Sequence, residues 1–282
     1  MSAIAGAAAL TVAELEEPAV GELLAGERLR GVSSESRLAL ATARMALRDA
    51  HARTHGAPAD ADALGVVVAT RHAGLQDYVE LFQEGTRAER PRVQPAKGPQ
   101  SGLTSPAATV SIRLPAAGPN ATVCNGAVGG LDALRYAADR LAAGDADAML
   151  VCELDLVPEI VRADPHEGAR QRAAVVVLQR GDDARTRGAA PCVRLGAVAT
   201  AFSPVGDGAE AQGRAREQAL AEAGTADAVR PLPPAGGGPV ARLADAVAAF
   251  ARGELAGRWL LVAHEAGAAG AAVLQSDLEG RR

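Results

Sequence analysis

A chain of 282 residues with 48% hydrophobic side chains is long enough to bury a sizeable core and too apolar to be disordered. Its net charge of −5, with acidic and arginine residues interspersed, argues against nucleic acid as the main partner. No apolar run reaches the roughly 18 residues of a membrane span, so no membrane partner is expected.

Aromatic residues make up only 2%, so the core must be built from Ala, Val and Leu, which favours close helix–sheet packing. The cysteines are Cys124, Cys152 and Cys192, an odd number at wide spacing. Two of them fall in apolar strand-like runs. They read as buried free thiols in a reducing compartment, without a disulfide framework or a metal site. Met1–Leu10 is apolar but has no basic leader. It reads as a first strand and not as a signal peptide, so a cytoplasmic location is expected.

In chain order, Ala3–Leu10 is a strand and Pro18–Arg30 a small helix or loop. Ser33 or Ser34 caps a helix over Arg37–Ala52, where Leu38, Ala41, Met45 and Leu47 recur at helical spacing. After a Pro/Asp turn at Gly56–Asp62, the β-branched run Leu64–Ala69 predicts a strand buried on both faces. Leu75–Phe82 is a short amphipathic helix. Arg87–Gln100, basic and proline-punctuated, is a loop, and Leu103–Leu114 is a helix broken by Pro115. Ala121–Cys124 is a buried strand, Asn125–Gly130 a tight turn of small residues, and Leu131–Ala143 a helix. A second buried strand covers Ala148–Cys152. Pro158–Arg172 is polar and irregular, and Ala173–Leu178 is another buried strand. Gly181–Ala190, charged and Gly/Ala-rich, reads as a linker.

A second set follows. Cys192–Ala201 is a strand, Ala209–Ala223 a helix and Ala228–Leu232 a brief strand. A PPAGGG turn precedes a helix at Pro239–Arg252, which carries Val240, Leu243, Val247 and Phe250 on one face. Trp259–Ala263 and Gly270–Gln275 are closing strands. Strands alternating with helices predict a mainly parallel sheet covered on both faces.

The turn at Asn125–Gly130 drops straight from a strand into a helix. Such an elbow points backbone N–H groups at whatever sits there, and the helix N-terminus stabilises a thiolate or an oxyanion. The residue in that place is Ala127, which has no reactive group. The alternative nucleophile is Cys124, earlier in the strand, where burial would raise its pKa. Nucleophilic catalysis also needs a partner base. His51 and His55 stand i,i+4 near a helix end, without an evident third metal ligand, and suit the helix dipole. His72 follows a strand, His166 lies in a polar loop, and His264 reads as a local polar contact. Gly129-Gly130 and Gly236–Gly238 lack the Lys-Ser/Thr of a phosphate loop and a full GxGxxG, so they read as tight turns. The pairs Glu16-Glu17 and Asp182-Asp183 are adjacent in sequence and read as solvated charges.

The run from Gly118-Pro119 to Gly144-Asp145-Ala146-Asp147 resembles the nucleophile segment of the β-ketoacyl synthases, which have the thiolase fold. In that family a Gly-Pro opens a strand that reaches Thr-Ala-Cys. A small-residue turn and a long helix follow, and the helix closes on Gly-(Asp)-Ala-Asp. Counted from the Gly-Pro, Asn125-Gly126-Ala127 falls on Thr-Ala-Cys. GVVVATRHAGLQDYVELFQEG resembles the family's strand and glycine turn before its dimer-contact helix, and TSPAATVSIRLPAAGPN the helix that leads to the Gly-Pro. The family's His-Gly-Thr and later Gly-His motifs have no counterpart in ADAVRPLPPAGGGPVARLADAV. His264–Gln275 occupies the place of the family's closing glycine-rich loop and last strand.

The resemblance implies an α/β, thiolase-like fold of two pseudo-duplicated βα halves in an αβαβα arrangement. The halves would be residues 1–182 and a truncated second half, 190–282. Ketosynthase-like chains that lack the cysteine include the chain length factors of type II polyketide synthases. These pair with an active ketosynthase and shape its acyl tunnel to set chain length. Carried over, the resemblance implies no catalytic residue and an interface strand of Ala121, Thr122, Val123, Cys124 and Asn125. It places Tyr78, Pro99, Gln100, Leu103 and Thr104 near the partner's tunnel. It implies no cofactor or metal of the chain's own, since the phosphopantetheine-borne acyl chain of an acyl carrier protein would be bound mainly by the ketosynthase. A second reading is a cut-down acyltransferase or condensing enzyme using Cys124 with His264 or His72. A third is a homodimeric ligand-binding relic of the fold.

Overall fold

The computed structural model describes residues 2–54, 61–87, 95, 97–161, 171–181, 193–203, 207–224, 229–232, 238–265 and 268–276. The turn at 56–60, the linker at 182–190, most of the basic loop, most of the PPAGGG turn, His55, His166 and Cys192 lie outside these residues.

The first half contains β1 (Ser2–Thr11), α1 (Pro18–Leu23), α2 (Ser34–Thr54), β2 (Leu64–Thr70) and α3 (Leu75–Arg87). It continues with α4 (Lys97–Gln100), α5 (Ser105–Arg113), β3 (Asn120–Val123), α6 (Gly129–Ala143), β4 (Ala148–Leu156) and β5 (Gln171–Arg180). The second half contains β6 (Val193–Phe202), α7 (Gly208–Glu222), β7 (Arg230–Pro231), α8 (Pro239–Ala251), β8 (Arg258–Glu265) and β9 (Ala268–Ser276).

The strands form one sheet in the order β3-β2-β4-β5-β1-β6-β9-β8-β7. Its two halves meet at a short seam, where Ser2–Ile4 of β1 pairs antiparallel with Val193–Leu195 of β6. Outward from that seam each half runs through its first strand, its last and its next-to-last, and then its second. This repeated order is the duplication. The sheet is mixed and not mainly parallel. β2 runs parallel to β3 and β4, and β7 to β8, while the other pairings are antiparallel. The reason is that β5 follows β4, and β9 follows β8, without an intervening α-helix among the described residues, so each returns beside its predecessor.

Three apolar layers follow from the two-residue period of the strands. Met149, Val151, Ala174, Val176 and Leu178 point inward, with Trp259, Leu261, Ala272 and Leu274 opposite them. α6 and α8 fill the space between through Leu131, Leu134, Leu141, Val240, Leu243, Val247 and Phe250. On the outer face of the first half, Ala148, Leu150, Val66, Val68, Val175 and Val177 pack under α2 and α5. On the outer face of the second, Ala199, Leu260, Ala271 and Val273 pack under Ala211, Ala215 and Ala219 of α7. The result is the αβαβα stack of the thiolase fold.

Small residues replace the missing aromatics by bringing backbones together. A Cβ on Gly6 would stand 2.6 Å from the Ala46 carbonyl oxygen and 2.8 Å from the Ala50 Cα. α2 therefore lies directly on β1. A register shift between Ile4 and Gly6 breaks the β1–β5 ladder, and the Ala7 N–H donates to the Asp49 carboxylate of α2 at 3.0 Å.

Several elements differ from their sequence reading. α3 is a turn longer than Leu75–Phe82, and Lys97–Gln100 forms a turn of helix inside the expected loop. β3 is a half-buried edge strand and not a buried one, because it pairs only with β2.

Candidate functional site

β3 ends at Val123, and the chain turns at Gly126 with φ of 52°. Gly126–Val128 forms a single 3-10 turn that leads directly into α6. Ala127 sits in that turn. α6 ends at Gly144 in the left-handed conformation, φ 79°, which a glycine adopts at little cost.

The N-termini of α6 and α8 converge beside the C-terminal ends of β2, β4 and β8. An open cleft of about 250 Å³ lies there, with Arg71, Ala127, Glu153, Asp155, Arg242 and His264 among its lining. Period-two arithmetic explains how charges reach it. The inward phase of β2, Val67 and Ala69, continues to Arg71. That of β4, Met149 and Val151, continues to Glu153, and that of β8, Trp259, Leu261 and Ala263, continues to Glu265.

Each converging helix N-terminus is met by a carboxylate from a distant strand. Glu153 is 8% exposed, and its Oε2 accepts from the N–H groups of Val240 at 3.0 Å and Ala241 at 3.2 Å. A Cβ at Gly130 or Gly238 would collide with this carboxylate, so both glycines make room for it. Glu265 accepts from the Ala127 N–H at 2.7 Å and pairs with the Arg71 guanidinium. Arg242 donates to the carbonyl oxygens of Val262 at 2.7 Å and Leu232 at 3.4 Å, and burial pulls its pKa below the usual arginine range.

The two candidate thiols differ. Burial, with the neighbouring Glu153, pushes Cys152 far above the ordinary thiol range, which makes it inert. Cys124 is exposed, which corrects the expectation that it is buried; it stands past the last residue of an edge strand. Its Sγ reaches the Arg71 carbonyl at 3.6 Å, and it is not part of the cleft lining. Of the histidines proposed as its partners, His264 borders the cleft and is exposed, while His72 lies outside the lining. Among the described residues no three His, Cys, Asp or Glu side chains are grouped to hold a metal ion.

Ala121, Thr122 and Val123 lie on β3, whose outer edge has no strand partner among the described residues. Tyr78, Leu103, Pro99 and Thr104 are exposed. Gln100 departs from that group. Its Oε1 accepts from the Ser105 hydroxyl at 2.8 Å and the Ser33 N–H at 3.2 Å. It ties α4 to the starts of α2 and α5. Lys97 anchors α4 to α3 through Glu84 at 2.6 Å and Glu80 at 3.2 Å. Sequence reasoning missed Arg71, Glu153 and Glu265 in the cleft. It also missed Phe82, 61% exposed one turn beyond Tyr78, and Ile112, 73% exposed at the end of α5.

Comparison with known proteins agrees with this geometry. The family model of the β-ketoacyl synthase N-terminal domain matches residues 23–163. No curated protein sequence matches the chain. Among solved structures, the fold is similar to the ishigamide ketosynthase/chain length factor, with a TM-score of 0.78 and 21% identity over 98% of this chain and 99% of that one. It is similar also to a type II polyketide synthase acyl-carrier protein in complex with its ketosynthase, with a TM-score of 0.72, 15% identity and coverage of 97% and 98%. A third is the oxazolomycin ketosynthase domain of Streptomyces albus, with a TM-score of 0.67, 15% identity and coverage of 97% and 95%. No helix among the described residues is long and apolar enough to cross a membrane.

Proposed function

The chain belongs to the β-ketoacyl synthase family, and from that premise we propose that it is a non-condensing subunit of a type II polyketide synthase. In this reading it pairs with an active ketosynthase and helps shape the tunnel that sets chain length, as a chain length factor does. The observation that carries the reading is Ala127. The fold builds the strand, turn and helix N-terminus that would activate a nucleophile, and the residue placed there has only a methyl group.

Two further observations support it. The outer edge of half-buried β3 has no strand partner among the described residues, and such an edge in a stable protein is covered or paired. In a chain whose aromatic content is 2%, both Tyr78 and Phe82 face solvent on α3. Large exposed apolar side chains grouped on one helix mark a partner surface. The proposed role needs only sterics: a wall of Tyr78 and Leu103 that does not move rejects one more acyl unit in the partner's tunnel. An acyl carrier protein would then be met through the complex.

The test is co-expression with a type II ketosynthase from the same gene neighbourhood, where one is encoded, followed by native mass spectrometry. A 1:1 complex, with this chain self-associated or insoluble alone, is the expected result. A stable homodimer that takes up an acyl group on Cys124 without a partner overturns the reading and makes the chain an enzyme.

A further inference from the structure

Glu265 is shaped into the elbow from three sides. Its carboxylate accepts from the Ala127 N–H at 2.7 Å and pairs with Arg71, which lies 194 positions away in sequence. Gly126 admits it, since a Cβ there would stand 2.6 Å from Oε2. The N–H that it engages belongs to the elbow residue itself. A backbone donor at a nucleophile position is the kind of group that stabilises an oxyanion, and a positive helix end beside it is what lowers a thiol pKa.

We propose that Glu265 is a built-in stopper of the elbow, held in place by Arg71. The inference rests on the reading of Ala127 as the former nucleophile position. The carboxylate fills the donor that would otherwise face a reacting oxygen. Its charge opposes any anion forming at residue 127. Loss of chemistry is therefore enforced twice, by the missing side chain and by an occupied donor, and restoring a thiol alone does not restore its reactivity.

The test places Ala127→Cys in a Cys124→Ser background, alone and combined with Glu265→Gln or Glu265→Ala, in the full chain. Alkylation by iodoacetamide is followed against pH and located by peptide mass mapping, so that Cys152 and Cys192 do not contribute. With Glu265 intact, the introduced thiol is expected to titrate above the ordinary cysteine value of about 8.5. The isosteric Glu265→Gln keeps the packing and removes the charge. It lowers that apparent pKa by about one unit or more and speeds alkylation at neutral pH about tenfold. Glu265→Ala does at least as much. Identical pH–rate profiles with and without the carboxylate overturn the proposal. A second reading needs no cysteine: in the chain carrying only Glu265→Ala, the Ala127 amide hydrogen exchanges at least about tenfold faster than in the parent. Unchanged protection likewise overturns it. Failure of the subunit reading shows separately, in native mass and in acyl uptake at Cys124 of the parent chain.

Discussion

Glu153 is one of the side chains through which the two halves share a polar contact. It comes from β4, and it holds the first N–H groups of α8, 87 and 88 positions later. Those donors have no partner within their own helix, so the carboxylate acts as a cap supplied from outside. Glu153→Ala leaves both donors facing a void beside Gly130 and Gly238. The expected cost is about 1–2 kcal/mol, or roughly 3–6 °C in the melting temperature of a domain this size. Glu153→Gln keeps an acceptor in the same place and should lose less than half of that. Equal melting curves for wild type and Glu153→Ala would show that the cap holds nothing. The assignment of Ala127 to the nucleophile position came from the family resemblance, while the strand, turn and helix around it were legible, because the residues that form them are neighbours in sequence. Glu153 and Glu265 were not. Their roles depend on helix ends reached only after the chain has crossed between halves. One signal was available in β2, β4 and β8: the inward alternation runs onto Arg71, Glu153 and Glu265, and a charge in a core phase demands a partner.

α3 leaves two large aromatic side chains uncovered. Lys97 pins its Glu80 and Glu84 side to α4, while Tyr78 and Phe82, one turn apart, remain 55% and 61% exposed. The helix is thus held on its polar face and free on its aromatic one. Phe82→Glu removes little packing from the body, so its effect on the chain's own stability should stay within about 0.5 kcal/mol. If α3 lies in the ketosynthase interface, the same change should weaken the 1:1 complex at least about tenfold, and Phe82→Leu should retain most of the affinity. Titration of the purified complex by dilution, read by native mass, separates the two outcomes. Undiminished association with Phe82→Glu removes α3 from the interface. The sequence pattern found this helix but stopped it at Phe82, because the polar Gln83–Arg87 continues the turn without apolar periodicity. Strand existence was legible throughout, from short β-branched runs such as Leu64–Ala69. Strand direction was not, since the polar sequence of Pro158–Arg172 between β4 and β5 gives no local mark of whether the chain returns or crosses over.

At the scale of the whole molecule, the decisive feature is that the central layer belongs to neither half. α6 comes from the first and α8 from the second, and they pack side by side between two sheet faces. Leu131, Leu134, Leu141, Val240, Leu243, Val247 and Phe250 are each no more than 4% exposed there. Arg172 of β5 adds a two-pronged contact to Asp245 of α8, at 2.7 and 3.2 Å. Burial of seven such apolar side chains is worth roughly 10–20 kcal/mol. A folded domain has a net margin of only about 5–15 kcal/mol, so neither half can uncover its share of this layer and stay folded. We therefore propose residues 1–182 and 190–282 as the two structural halves, which are interdependent and not autonomous. Expressed alone, 1–182 is expected to aggregate or to bind a hydrophobic dye without a cooperative melt. Co-expressed with 190–282 as a separate chain, it should return as a soluble 1:1 pair with a single transition, because the seam between Ser2–Ile4 and Val193–Leu195 and the central helices need no covalent link to close. A monomeric, cooperatively melting 1–182 would show instead that the first half carries a complete core of its own, and that α8 and the second sheet rest on it as an addition.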